Sequence, residues 1–131
     1  MKLTIKRSEW SRGVQSANAL LVNDDIIDQN EEYASFTSPS PKMGTKCCLG
    51  FLCLAIGATE EQIAGKSMPD QIKGDAALRS VLERFNLLNR YLENSEFSER
   101  AAEINDSDRN TMEADLIELF KSNNLELGFI D

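Results

Sequence analysis

The chain has 131 residues, 41% apolar and 27% charged, with a formal net charge of −8 and no histidine. That length supports one hydrophobic core without metal or disulfide staples, and the negative field makes direct binding to duplex nucleic acid unfavourable. No apolar run approaches the ~20 residues of a membrane span, and histidine, the commonest general base and metal ligand, is missing.

Lys2 to Lys6 alternates polar and apolar residues, the period of a half-buried strand. Ser8 to Ser16, with Trp10, Arg12 and Gly13, reads as an irregular turn, and Asn18 to Val22 as a short strand or a helical turn. Residues 23–44 hold Asp24, Asp25, Asp28, Glu31 and Glu32, then Ser38-Pro39-Ser40-Pro41, and are expected to form a long acidic loop. Thr45 is a plausible N-cap for a buried helix from Lys46 to about Ala58, the segment that contains Cys47, Cys48 and Cys53.

Thr59 and Gln62 have the spacing of a capping box for a short helix over 60–64. Asp75 is placed to cap a helix in which Leu78, Val81, Leu82, Phe85, Leu88 and Leu92 recur at helical spacing. Ser95 opens another, with Phe97, Ala101 and Ile104 inward. Ser107 opens the last, with Met112, Leu116, Leu119 and Phe120 on one stripe. Asn123-Asn124 supplies a left-handed stop, after which Leu125 to Ile130 reads as a closing strand. These elements predict a single α+β domain over 1–131, its terminal strands paired against several helices around one buried central helix.

Three stretches carry a resemblance: Arg7-Ser8-Glu9-Trp10-Ser11-Arg12-Gly13, Cys47-Cys48-Leu49-Gly50-Phe51, and Ile104-Asn105-Asp106 ahead of a final helix and a Phe-containing strand. Together they resemble a family of small bacteriophage and prophage proteins; residues 24–43 fall outside the match. The motifs bring no activity with them. The resemblance implies a viral accessory gene acting in the cytoplasm of an infected bacterium. Such genes often encode small acidic proteins that disarm host defence by binding, anti-CRISPR proteins among them.

Three constellations are candidates for function. The thiols need a base or a cationic setting to ionise; only Lys46 and the helix N-terminus offer one, so they are expected to be core packing and a cysteine-dependent enzyme is disfavoured. Three cysteines without histidine also make a poor zinc site, and no metal or cofactor is expected. The odd count and the adjacent Cys47 and Cys48 fit a reducing compartment.

The second candidate is an anion or nucleotide site built from Arg7, Trp10, Arg12, Thr45 and Lys46 at the start of the buried helix, a sponge for a signalling nucleotide. Its structural counterpart has Trp10 closing the core edge and the arginines paired with acidic surface. The third is the acidic surface, for which a basic host protein is the expected partner. Glu93, Glu96, Glu99, Glu103 and Asp106 advance by three or four residues, and Asp108, Glu113, Asp115 and Glu118 extend the field. With the Asp24–Glu32 cluster, such carboxylates can imitate phosphates before a basic protein groove. The sequence therefore favours a protein that acts by binding rather than an enzyme.

Overall fold

The computed structural model describes residues 1–13, 19–33, 42–88 and 95–131, with the backbone alone for 29–33 and 95–96. The elements run β1 (Lys2–Lys6), α1 (Asp24–Tyr33), α2 (Cys48–Ala55), α3 (Glu60–Ile63), α4 (Ala76–Arg84), α5 (Ser95–Asn105), α6 (Met112–Ser122) and β2 (Glu126–Ile130). Single 3₁₀ turns occupy Arg7–Glu9 and Pro69–Gln71.

The terminal strands pair in parallel, Leu3 opposite Leu127 and Ile5 opposite Phe129. Period-two alternation turns those four side chains to one face, where Leu3, Ile5 and Leu127 are buried against the helices. Lys2, Thr4, Lys6 and Glu126 face solvent. A parallel pair cannot be joined by a tight turn, so the helices lie between the strands in the chain. The arrangement is α+β.

Helix α2 is the centre. Cys48, Leu49, Leu52 and Cys53 are wholly buried, with β1 and α5 packed against the helix. A Cβ on Gly50 would sit 1.9 Å from the Leu20 carbonyl oxygen, so only glycine lets α2 press onto that backbone. Phe97, Ala101 and Ile104 point inward from α5, and Met112, Leu116 and Phe120 from α6; Leu119 is half-buried.

The local signals hold where one side chain decides the end of a helix. Thr59 and Gln62 form the reciprocal capping box. The Asp75 carboxylate accepts the Leu78 N–H at 2.9 Å. Asn124 takes the left-handed conformation, φ 62°, between α6 and β2. Residues 19–22 form neither a strand nor a helical turn: Leu21 makes an isolated bridge to Ala64, and Val22 exchanges backbone hydrogen bonds with Thr45 and Gly44.

Four expectations change. Residues 24–33 of the supposed loop form helix α1: Asn23 Oδ1 accepts the Ile26 N–H at 3.2 Å, and Asp24 and Asp25 complement the helix dipole in the first turn. Ile26 is buried with Ala19 and Val22 in a small second cluster. Thr45 does not cap α2, because its hydroxyl donates to the Lys42 carbonyl at 2.6 Å and the helix starts two residues later than expected, at Cys48. Helix α4 stops at Arg84 because Asn86 is left-handed, φ 60°; Leu87 and Leu88 are buried beyond it, and Leu92 lies outside the described residues. Ser107 closes α5 instead of opening α6, its hydroxyl donating to the Ile104 carbonyl at 2.7 Å.

Candidate functional site

The three stretches that carry the resemblance meet at one buried side chain, Asn105. Its Oδ1 accepts the Trp10 indole N–H at 2.7 Å and the Cys48 backbone N–H at 3.0 Å. Its Nδ2 donates to the Ser11 carbonyl at 2.9 Å and to Asp106 Oδ1 at 3.0 Å. Asn105 is 0% exposed and uses both ends of its amide. It fills the capping role that Thr45 leaves vacant, since Cys48 heads α2 and needs an acceptor. The N-terminus of α2 is thus closed off by protein, not open to an anion.

The arginines of the same turn are paired with carboxylates at the surface. Arg7 holds Glu113 through two bonds, 3.0 and 2.7 Å, and reaches Asp131 at 3.0 Å. Its guanidinium also lies 5.5 Å from the centre of the Phe129 ring. Arg12 approaches Glu113 at 3.3 Å and covers the Trp10 ring at 4.9 Å. Hydrogen bonds from Arg7, with the positive charge of both arginines, hold the Glu113 carboxyl below its ordinary range. Trp10 is buried and stacks obliquely on Phe129, ring centres 5.0 Å apart. Lys46 is buried too; its ammonium sits 5.0 Å from the Phe51 ring centre, 3.4 Å from the Gly44 carbonyl and 3.9 Å from Glu9.

Arg7, Trp10, Arg12, Thr45 and Lys46 are therefore joined to the fold one by one and do not converge on a shared ligand position. A cleft of about 760 Å³ opens beside Arg12, along Ser107–Ala114 at the start of α6. Its cations are spoken for: Arg12 by Glu113, and Arg109 by Asp115 at 3.6 Å.

The thiols are free and buried. Cys47 stands at the N-cap of α2, where the N–H groups of Leu49 and Gly50 favour a thiolate, but burial outweighs them and the nearby Asp106 charge acts with it, pushing the thiol up to about 11. Burial raises Cys48 and Cys53 as well, and the Cys48 thiol lies 3.7 Å from the Ala101 carbonyl, to which it donates. Cys47 and Asp106 do share a hollow of about 290 Å³ with Ser67, Met68 and Ala102. A carboxylate there opposes thiolate formation, so the pair is poorly suited to nucleophilic chemistry. Among the described residues, no group of three or more acidic, cysteine or histidine side chains could hold a metal.

The acidic candidates separate into two patches. Asp24, Asp25 and Asp28 are exposed on α1, and Glu99 and Glu103 on α5; no ion pair involves these five among the described residues. Glu99 and Glu103 are four residues apart on one helix, about 6 Å along its axis. Glu31 and Glu32 lie in the last turn of α1 and Glu96 in the first of α5, with side chains outside the described set; Glu93 is outside it altogether. Asp106 does not continue the stripe: α5 ends at Asn105, and the half-buried Asp106 accepts the Asn105 amide. Glu113 is likewise taken from the open field by Arg7 and Arg12. Sequence reading missed Asn105 and Glu113 as partners because their contacts span 95 and 106 residues.

Comparisons with protein-family models, curated proteins and solved structures give no match. Among the described residues no helix is long and apolar enough to cross a membrane.

Proposed function

We propose that the protein acts by binding, as a phage-type accessory factor of the counter-defence kind, engaging a basic surface of a host protein through the acids of α1 and α5. One observation carries this reading. The fold neutralises Glu113 and Asp131 with Arg7, and Glu113 also with Arg12, yet leaves Asp24, Asp25, Asp28, Glu99 and Glu103 exposed with no cation against them among the described residues. Unpaired carboxylates contribute little to folding and repel one another, whereas they accelerate encounter with a basic partner and select against acidic ones. Glu31, Glu32 and Glu96 share those helices and add to their charge.

The chemistry required is recognition alone, in keeping with buried thiols and internally paired arginines. The test is affinity capture from bacterial lysate with the intact chain and with a charge-reversed form, Asp24→Lys/Asp25→Lys/Asp28→Lys/Glu99→Lys/Glu103→Lys. The reading expects a basic protein retained by the first and lost by the second. Capture that is equal for both, or of an acidic partner, contradicts it.

A further inference from the structure

The two-stranded sheet leaves both outer edges without a further strand among the described residues. The edges differ. β1 carries Lys2 and Lys6, charges of the kind that discourage strand addition, whereas β2 has a single charge, Glu126 at its first position, and continues Leu127-Gly128-Phe129-Ile130 without charge or proline. Glu126 donates its N–H to the Met1 carbonyl at 3.0 Å, so in the parallel ladder the peptide groups of Glu126, Gly128 and Ile130 face β1. Those of Leu127 and Phe129 face outward.

Apolar surface gathers at the same place. Met1, Ile117 and Ile130 are 53%, 40% and 52% exposed, three of the four large apolar side chains left exposed among the described residues. Met1 and Ile117 line a hollow of about 600 Å³ with Lys121, Leu125, Glu126 and Leu127, while Ile130 lies on the other face of the strand.

We infer that a second copy of this chain occupies this edge, β2 running antiparallel to β2 about a two-fold axis at Gly128. Among antiparallel registers, the one that sets Leu127 opposite the partner's Phe129 pairs all four outward N–H and C=O groups on each strand. It puts Gly128 against its own copy at a non-hydrogen-bonded pair, where the two backbones come closest. It also brings the partner's Asp131 opposite Leu125, which lines the hollow beside Lys121. Asp131 is 97% exposed and gives Arg7 a single oxygen, so it remains able to accept from Lys121. The symmetry makes that charge match twice, and the joined edges form a four-stranded sheet that brings the end of the partner's strand over the hollow lined by Ile117. None of the α1 or α5 acids takes part, so this inference and the proposed function fail separately.

The test is molar mass by light scattering and sedimentation over a dilution series, with circular dichroism to confirm folding. The full chain is expected at twice its 14.6 kDa, dissociating on dilution. Ile117→Asp abolishes the dimer. Lys121→Glu or Asp131→Lys alone weakens it roughly tenfold, and the double exchange Lys121→Glu/Asp131→Lys recovers most of the loss. A monomer at every concentration overturns the inference, as does a dimer indifferent to Ile117→Asp and to the charge exchange. Capture of an extended peptide by a monomeric chain at this edge overturns it as well.

Discussion

Replacing Asn105 by alanine removes one side chain from the meeting point of three segments. The buried Trp10 indole N–H, the Cys48 N–H at the head of α2 and the Ser11 carbonyl each lose their partner, while Asp106 keeps access to water. A buried polar group left without a partner costs about 1–3 kcal/mol, so three together, with partial relaxation, cost about 3–6 kcal/mol. Set against a total stability of roughly 5–15 kcal/mol, that is a large fraction, and it lowers the melting temperature by roughly 10–20 °C. Trp10 is the sole tryptophan, so its fluorescence reports the same site. Urea unfolding of wild type and Asn105→Ala, followed by that emission and by far-ultraviolet circular dichroism, measures the difference. Asn105→Asp keeps an acceptor for Trp10 and Cys48 but sets oxygen against the Ser11 carbonyl, and it is destabilised as well. A loss below about 1 kcal/mol with unchanged Trp10 emission would refute the hub.

Gly50→Ala drives a methyl group into the Leu20 carbonyl and destabilises by about 3 kcal/mol or more, seen as a lower urea midpoint; a neutral result would mean α2 can move away. All three thiols resist alkylation in the native chain and react on unfolding, which mass spectrometry counts. Because the folded thiols titrate above the ordinary 9.0, their contribution is intact below that pH and is lost as pH rises through 9.0 toward about 11 for Cys47; Cys47→Ala flattens that decline. Glu113 is shifted the other way. Its contribution is present above the ordinary 4.5 and is lost as pH falls below it, so Glu113→Gln lowers stability at neutral pH and shallows the acid limb of a stability–pH profile.

What could be read in the sequence was what neighbouring residues decide. The capping box at Thr59, the Asp75 cap, the inward stripe of α5 and the left-handed Asn124 are each fixed within four residues. Helix α1 was illegible because Asp24, Asp25 and Asp28 look like loop residues by propensity; a cap from Asn23 and the dipole make them compatible with a helix. The start of α2 was misplaced because its acceptor comes from Asn105, 57 residues away. The same distance problem governs the candidate site. Arg7, Arg12 and Glu113 could be seen as charged, but the side of the molecule on which each is consumed depends on how the ends of the chain fold together. Glu99 and Glu103 are exposed on α5, and among the described residues no long-range partner pairs with them.

The salt dependence of partner binding tests most directly whether open carboxylates do the recognising. With the captured protein purified, the dissociation constant is measured by titration calorimetry across a range of salt concentrations. Screening weakens exposed charge pairs, so a steep linear rise of log Kd with log salt is predicted, with a slope that falls when Glu99 and Glu103 are neutralised as glutamines. A dissociation constant that stays flat in salt, or a slope that those glutamines leave unchanged, contradicts the account.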